Sequence, residues 1–311
     1  MLYPFPGVIR TVLCLVIFFV SAVTLGEEPA KPLAVLDGRL LPEASGIAVS
    51  SRTPSVLWVL NDSGNDANLI AFDTDLDTYR TVSIQGVRNR DWEDLESFVF
   101  AGEPWLLIAD VGDNDARREE VFLHLLPEPR EDADKARIVV TLAVRYSQGA
   151  ADVESVAVDP RRRAIYLLTK RESPPVLHEV PLPALDVSGR YAVEAQVMGA
   201  VESIPLPSDE ELSRYPRFGR FRHQPTAMSL SPDGSLIAVM TYRGAYLAEL
   251  PATQTWLEAL NNNLCAVSTP ALRQGETIVL GADTQLYLTS EGAGAPLYRI
   301  PGRCADDAHE P

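Results

Sequence analysis

Glu43, Asp94 and Asp152 each open a short segment in which a second polar residue follows two positions later and apolar residues alternate after it. The three segments read EASGIAV, DLESFVF and DVESVAV, and looser copies start at Gln224 (QPTAMSL) and Gln274 (QGETIVL). Residues two apart on a strand face the same side. The first register (Glu43, Asp94, Asp152, Gln224, Gln274) and the second (Ser45, Glu96, Glu154, Thr226, Glu276) therefore gather carboxylates in one place. Such a group repels itself unless some members are protonated, are paired with Lys or Arg, or share a cation. An oxygen-only set suits a hard divalent ion, calcium above all. The expected metal ligands are Glu43, Asp62, Asp94, Glu96, Asp110, Asp152, Glu154 and Glu276. The same residues would serve equally well to cap strand ends and hydrogen-bond neighbouring strands.

Hydrolytic chemistry would follow if the cation polarised an ester, lactone or phosphoester and lowered the pKa of a bound water. Glu96 or Glu154 would then be the general base, because a carboxylate beside other acids holds its proton more tightly. His223, just before the fourth segment, is the remaining catalytic candidate. Asn61, Trp92, Asn114, Lys170 and Tyr242 are the expected ligand-binding residues. Trp92 lies in the acidic run DWED, as a stacking platform or as a plug. Asp73, Asp75 and Asp77 begin like a calcium loop, but Thr78 stands where the glycine is required and Ile84 where the final Glu is required. Arg214–Arg222, with Tyr215, Phe218 and Phe221, is a basic-aromatic stretch that reads as a lid over the acidic face or a binder of an anionic group.

The elements that position these groups are strands. Each segment is followed by a second apolar run (LWVLND, LLIADV, IYLLTK, IAVMTY, LYLTSE) and then a third, separated by Gly, Asn, Asp, Ser or Pro. Units of three to four antiparallel strands recurring every 50 to 72 residues predict an all-β fold, a β-propeller of five four-stranded blades, with six blades as the alternative. The strand-like Leu33–Leu40 would close the ring by adding to the last blade.

Thr11–Leu25 is an apolar run after Arg10, shorter than a membrane span and followed by small residues. It reads as a signal peptide over residues 1–26, leaving a single propeller domain over 27–311 with no membrane span. Export to the periplasm or the extracellular space is expected, and with it a Cys265–Cys304 disulfide. The chain has 311 residues, 27 Lys+Arg against 43 Asp+Glu and a net charge of −16, which argues against a nucleic-acid partner. A small molecule or an envelope protein is the expected partner, and a monomer the expected state.

NDSG at Asn61–Gly64, DWED at Asp91–Asp94, GDN at Gly112–Asn114 followed by Arg117, and TSEGAGAPLYRI at Thr289–Ile300 resemble a group of exported bacterial β-propeller proteins of unassigned function. The E-x-S-G opening at Glu43–Gly46 is similar, more distantly, to the esterase-like phytase propellers. By analogy with lactonase and paraoxonase propellers, the resemblance implies an axial Ca²⁺ held by acids and amides. The function so implied is cation and small-ligand binding with esterase-, lactonase- or phosphoesterase-type hydrolysis. The alternative is a non-enzymatic binding or interaction module of the envelope.

Overall fold

The computed structural model describes residues 30–305, so the signal segment lies outside the described residues. The chain enters through β1 (Ala34–Val35) and then builds a five-stranded sheet from β2 (Ala44–Val49), β3 (Val56–Asn61), β4 (Asn68–Asp73), β5 (Thr78–Gln85) and, paired in parallel with β5, β9 (Lys135–Arg137). An eight-stranded sheet takes β6 (Trp92–Phe100), β7 (Glu103–Asp110), β8 (Val121–Pro127), β10 (Val140–Tyr146), β11 (Val153–Asp159), β12 (Ala164–Thr169), β13 (Val176–Pro181) and β14 (Gly189–Ala200). After α1 (Asp209–Arg214) and a 3₁₀ turn (Gly219–Phe221), a four-stranded sheet forms from β15 (Pro225–Leu230), β16 (Leu236–Thr241), β17 (Ala245–Glu249) and β18 (Leu264–Ala266), with α2 (Trp256–Asn263) before its last strand. The last sheet is β19 (Gly275–Leu280), β20 (Gln285–Ser290) and β21 (Pro296–Pro301), completed by β1.

These sheets correct the expected propeller of five equal four-stranded blades, and its six-bladed alternative. Hydrogen bonding divides the all-β fold into sheets of five, eight, four and four strands. The main cause is β14, which at 12 residues pairs in parallel with β10 through Gly189–Ala195 and antiparallel with β13 through Gln196–Ala200. One strand thus fuses two hairpin series that the sequence had suggested were separate.

The first strands β2, β6, β11, β15 and β19 pack on one another in that order, and β19 packs on β2. They are buried on both faces, which is why they carry Ala, Ser, Gly and Val rather than an alternating polar face. Apolar clusters fill the spaces between the sheets. One holds Trp58, Leu60, Leu69, Trp92, Leu95, Leu106 and Ile108, and another Tyr166, Leu168, Met228, Val239, Trp256 and Leu260. α2 is started by a capping box between Thr255 and Glu258, which seats Trp256 against Tyr166 at 4.2 Å between ring centres. The disulfide joins Cys265 in β18 to Cys304 beyond β21. No helix among the described residues is long and apolar enough to cross a membrane.

Candidate metal centre

All five inner strands carry a β-bulge near their start. The residue left unpaired is Ser45, Glu93, Glu154, Thr226 or Glu276. A bulge adds a residue opposite a single partner and re-aims the side chains around it. Here it sets the true register. Two residues before each regular pairing resumes stand Ala44, Trp92, Val153, Pro225 and Gly275, and before those Glu43, Asp91, Asp152, Gln224 and Gln274. Asp91 and Glu93, not Asp94 and Glu96, are the structural counterparts of Asp152 and Glu154. The DLES and DVES matches are a three-residue slip.

The consequence is a group of three carboxylates. One oxygen from each of Asp62, Asp91 and Glu93 lies within 4.8 Å of the other two, a set able to hold a divalent metal ion. Asp62 follows β3, its amide donating to the Glu43 carbonyl at 2.9 Å. Asn89 braces the loop from below β6: its amide nitrogen donates to the carbonyls of Asn61 and Asp62 at 2.8 Å each, and its oxygen accepts from the Trp92 amide at 3.1 Å. Gly112 forms the back wall, because a side-chain carbon there would collide with the Glu93 carboxylate and stand 2.6 Å from that of Asp91.

The electrostatics of the three are those of crowded, partly dried acids. Burial pushes Glu93 well above the usual carboxylate range, and the charges of Glu154, Asp62 and Asp91 push it further. Asp62 and Asp91 are raised by burial too, with the Ser63 amide and hydroxyl respectively pulling back. Glu93 is buried, yet no side chain or amide among the described residues donates a hydrogen bond to it, and no Lys or Arg nitrogen pairs with any of the three.

The neighbouring acids are provided for. Lys170 pairs with Glu154 and lies 5.2 Å from the Tyr242 ring centre. Burial alone would lower the Lys170 pKa, but Glu154 raises it, so the ammonium stays charged. Arg171 donates to Asp152 at 2.6 Å and to Asn114. Arg118 donates to Asp110 at 2.7 Å and to the Gly112 carbonyl at 2.8 Å. Glu276, raised by burial to about 7, accepts from Tyr242 at 3.1 Å and Gln274 at 2.7 Å. Glu43 accepts from Asn65 at 3.0 Å.

The other expected residues fall elsewhere. Asp94 lies deep between the inner strands, its carboxylate accepting from the amides of Leu95 (2.9 Å), Val156 (2.8 Å) and Met228 (3.3 Å). It ties three strands together. Glu96 is buried beyond it, raised by burial and by the Asp94 charge. Trp92 is fully buried in an apolar cluster, its indole nitrogen without a partner, so it is a plug and offers no stacking face. Asn61 clips the loop, accepting from the Glu43 amide and donating to the Leu40 carbonyl. His223 is buried with neither ring nitrogen partnered, and burial, with Arg243 nearby, lowers its pKa and keeps it neutral. The signal that would have found Asp91 and Glu93 is present in DWED, where Asp91-Trp92-Glu93 fits Asp152-Val153-Glu154 as well as Asp94-Leu95-Glu96 does.

No protein-family model and no curated protein matches the chain. Among solved structures it is similar to a hydrazine synthase of Kuenenia stuttgartiensis, at 9% identity over 84% of each chain with a TM-score of 0.45. It is similar also to a luciferin-regenerating enzyme, at 9% identity over 88% of this chain and 96% of that one, TM-score 0.45. A third is the PQQ-bound aldose sugar dehydrogenase of Streptomyces coelicolor, at 7% identity over 88% and 96%, TM-score 0.43. Likenesses this slight carry no argument about function.

Proposed function

We propose that this is an exported protein that binds a divalent cation, calcium, at Asp62, Asp91 and Glu93, and uses it to hold a small ligand. The observation that carries the reading is the triad itself: one oxygen from each of Asp62, Asp91 and Glu93 lies within 4.8 Å of the other two, and no Lys or Arg among the described residues pairs with any of them. Carboxylates crowded this way are costly to ionise together, and a cation is the partner such a set lacks. Carboxylate oxygens favour calcium over softer metals, and three of them leave positions for oxygens of a ligand. Export is supported by the apolar Thr11–Leu25 run and by the disulfide, which belongs to an oxidising compartment.

Binding is favoured over hydrolysis by the state of the expected bases. Glu154 is tied to Lys170, Glu96 is buried beyond Asp94, and His223 has no partner for a proton.

The test is terbium luminescence, with Trp92 between two of the ligands as sensitiser, together with melting in Ca²⁺ and in EDTA. Calcium at a hundred times its Kd is expected to add about 2.7 kcal/mol. Glu93→Gln should abolish both the emission and the calcium gain, while making the metal-free protein more stable than wild type. A wild type that melts identically in Ca²⁺ and EDTA would overturn the proposal.

A further inference from the structure

The excursion between β14 and β15 has a composition unlike the rest of this acidic chain. Four of the ten large apolar side chains exposed among the described residues fall within it: Leu206 (50% exposed), Leu212 (41%), Tyr215 (41%) and Phe218 (61%). Among and just after them stand Arg214, Arg217 and Arg220, all exposed and none in an ion pair among the described residues. Each guanidinium lies against an aromatic ring instead: Arg214 on Tyr215 at 5.8 Å, Arg217 on Phe218 at 5.0 Å and Arg220 on Phe221 at 4.5 Å. From Leu212 to Phe221 there is no acid; Asp209, Glu210 and Glu211 precede it in the first turn of α1, and Glu211 is paired with Arg222 and Arg243.

The base of this excursion is fixed while its tip is bare. Glu211 is gripped by Arg243 and by Arg222 at 3.1 Å, and it also closes the α1 capping box with Ser208. Arg243 further donates to the carbonyls of Pro205 (2.6 Å) and Leu206 (3.1 Å). Gly219 lets the 3₁₀ turn fold back on α1, its missing side chain leaving room for the Glu211 carbonyl at 2.9 Å. Yet no residue of α1 is buried. The three arginines have no carboxylate partner among the described residues.

We infer that residues 212–221 dock the protein on an anionic lipid surface. Exposed leucine and aromatic side chains beside unpaired guanidiniums are the chemistry of the headgroup boundary. There the rings and Leu enter the acyl region, and the arginine stems lie along apolar surface while their heads meet phosphate. A protein partner would need roughly 800 Å² of complementary surface on this side. A short, rigidly based tip of large apolar groups and positive charge needs only a soft, negatively charged plane.

The experiment is sedimentation of the full chain with vesicles of phosphatidylcholine alone and with about a third phosphatidylglycerol, in EDTA so that no cation bridges carboxylates to lipid. The apolar Thr11–Leu25 run is common to every protein compared, so the readout is the preference for anionic vesicles. Wild type should prefer them by tenfold or more, and less so as salt rises. The triple variant Arg214→Gln, Arg217→Gln, Arg220→Gln should lose that preference. The triple variant Leu212→Ser, Tyr215→Ser, Phe218→Ser should bind at least tenfold more weakly. All three proteins should melt together. A wild type indifferent to lipid charge, as it would be if the patch served an acidic protein, would overturn the inference, and so would an arginine variant that keeps the full preference.

Discussion

Glu128 and Asp159 lie at the end where the inner strands finish, and Asp62, Asp91 and Glu93 at the end where they start. Glu93 is buried like Glu128 and Asp159, at 7% against 3% and 0% exposed, while Asp62 and Asp91 are half-buried. The sharper difference is in the donors. Glu128 accepts from the Trp58 indole at 3.0 Å, the Ser51 amide at 3.1 Å, and the hydroxyls of Ser97 (3.0 Å) and Ser50. Asp159 accepts from the Trp256 indole at 3.2 Å and from Arg162 at 2.7 Å. At the other end the Trp92 indole is unpartnered, and Glu93 shares its place with two further carboxylates while no Lys or Arg among the described residues pairs with it. Glu128 and Asp159 are held by donors of the chain itself. Three carboxylates within reach of one another and without a basic partner point to a cation that the chain does not supply.

The contrast can be broken most directly by Glu128→Ala. It strands the buried Trp58 indole and Ser50 hydroxyl, with an expected loss of about 4 kcal/mol in urea unfolding. A loss below about 1 kcal/mol would show that saturation at that end does not matter.

The pH dependence sharpens it next, because the two ends have opposite signs. Burial raises Glu93 and Glu276, so their contribution is complete below the unfolded value near 4.5 and is lost as pH climbs through the folded one, about 7 for Glu276. That residue alone accounts for roughly 3 kcal/mol. For Asp159, burial would raise the pKa, but the Arg162 and Trp256 donors hold it below 3.8, so its contribution is lost on acidification instead. In EDTA, unfolding free energy should fall from pH 4.5 to above 7. Calcium, which holds the triad ionised, should flatten that limb. A metal-free protein whose stability rises over the interval would contradict the assignment.

The smallest effect belongs to Gly112→Ala, whose methyl group would press on the Glu93 and Asp91 carboxylates. Terbium affinity should fall about tenfold, roughly 1.4 kcal/mol, with little change at the Glu128 end. Unaltered affinity would remove Gly112 from the site.

The strands, their turns and the Cys265–Cys304 pair were legible because period-two hydrophobicity and a two-cysteine balance are local or arithmetic signals. Asp62 was legible from NDSG. Asp91 and Glu93 were masked, because DWED holds two acidic pairs and the later one, in DLES, matches DVES by type three residues out of register. The unequal sheets were hidden for a different reason. Whether β14 bonds one neighbour or two depends on hydrogen bonds between distant segments, and nothing in Gly189–Ala200 itself records that choice.

The pairing of β1 with β21 has a consequence in time. Ala34 and Val35 leave the ribosome before every other strand residue described, and their partners, Leu297 and Pro296, leave in the last strand. The final sheet therefore keeps an open edge until synthesis is nearly complete, while the chain's first strand waits unpaired throughout. A circular permutant that joins the two ends and opens the exposed Asp75–Asp77 hairpin would make that pairing local, but it would hand the long-range closure to β4 and β5, whose ladder is the longer of the two, so it should refold more slowly than the natural order of the same strands.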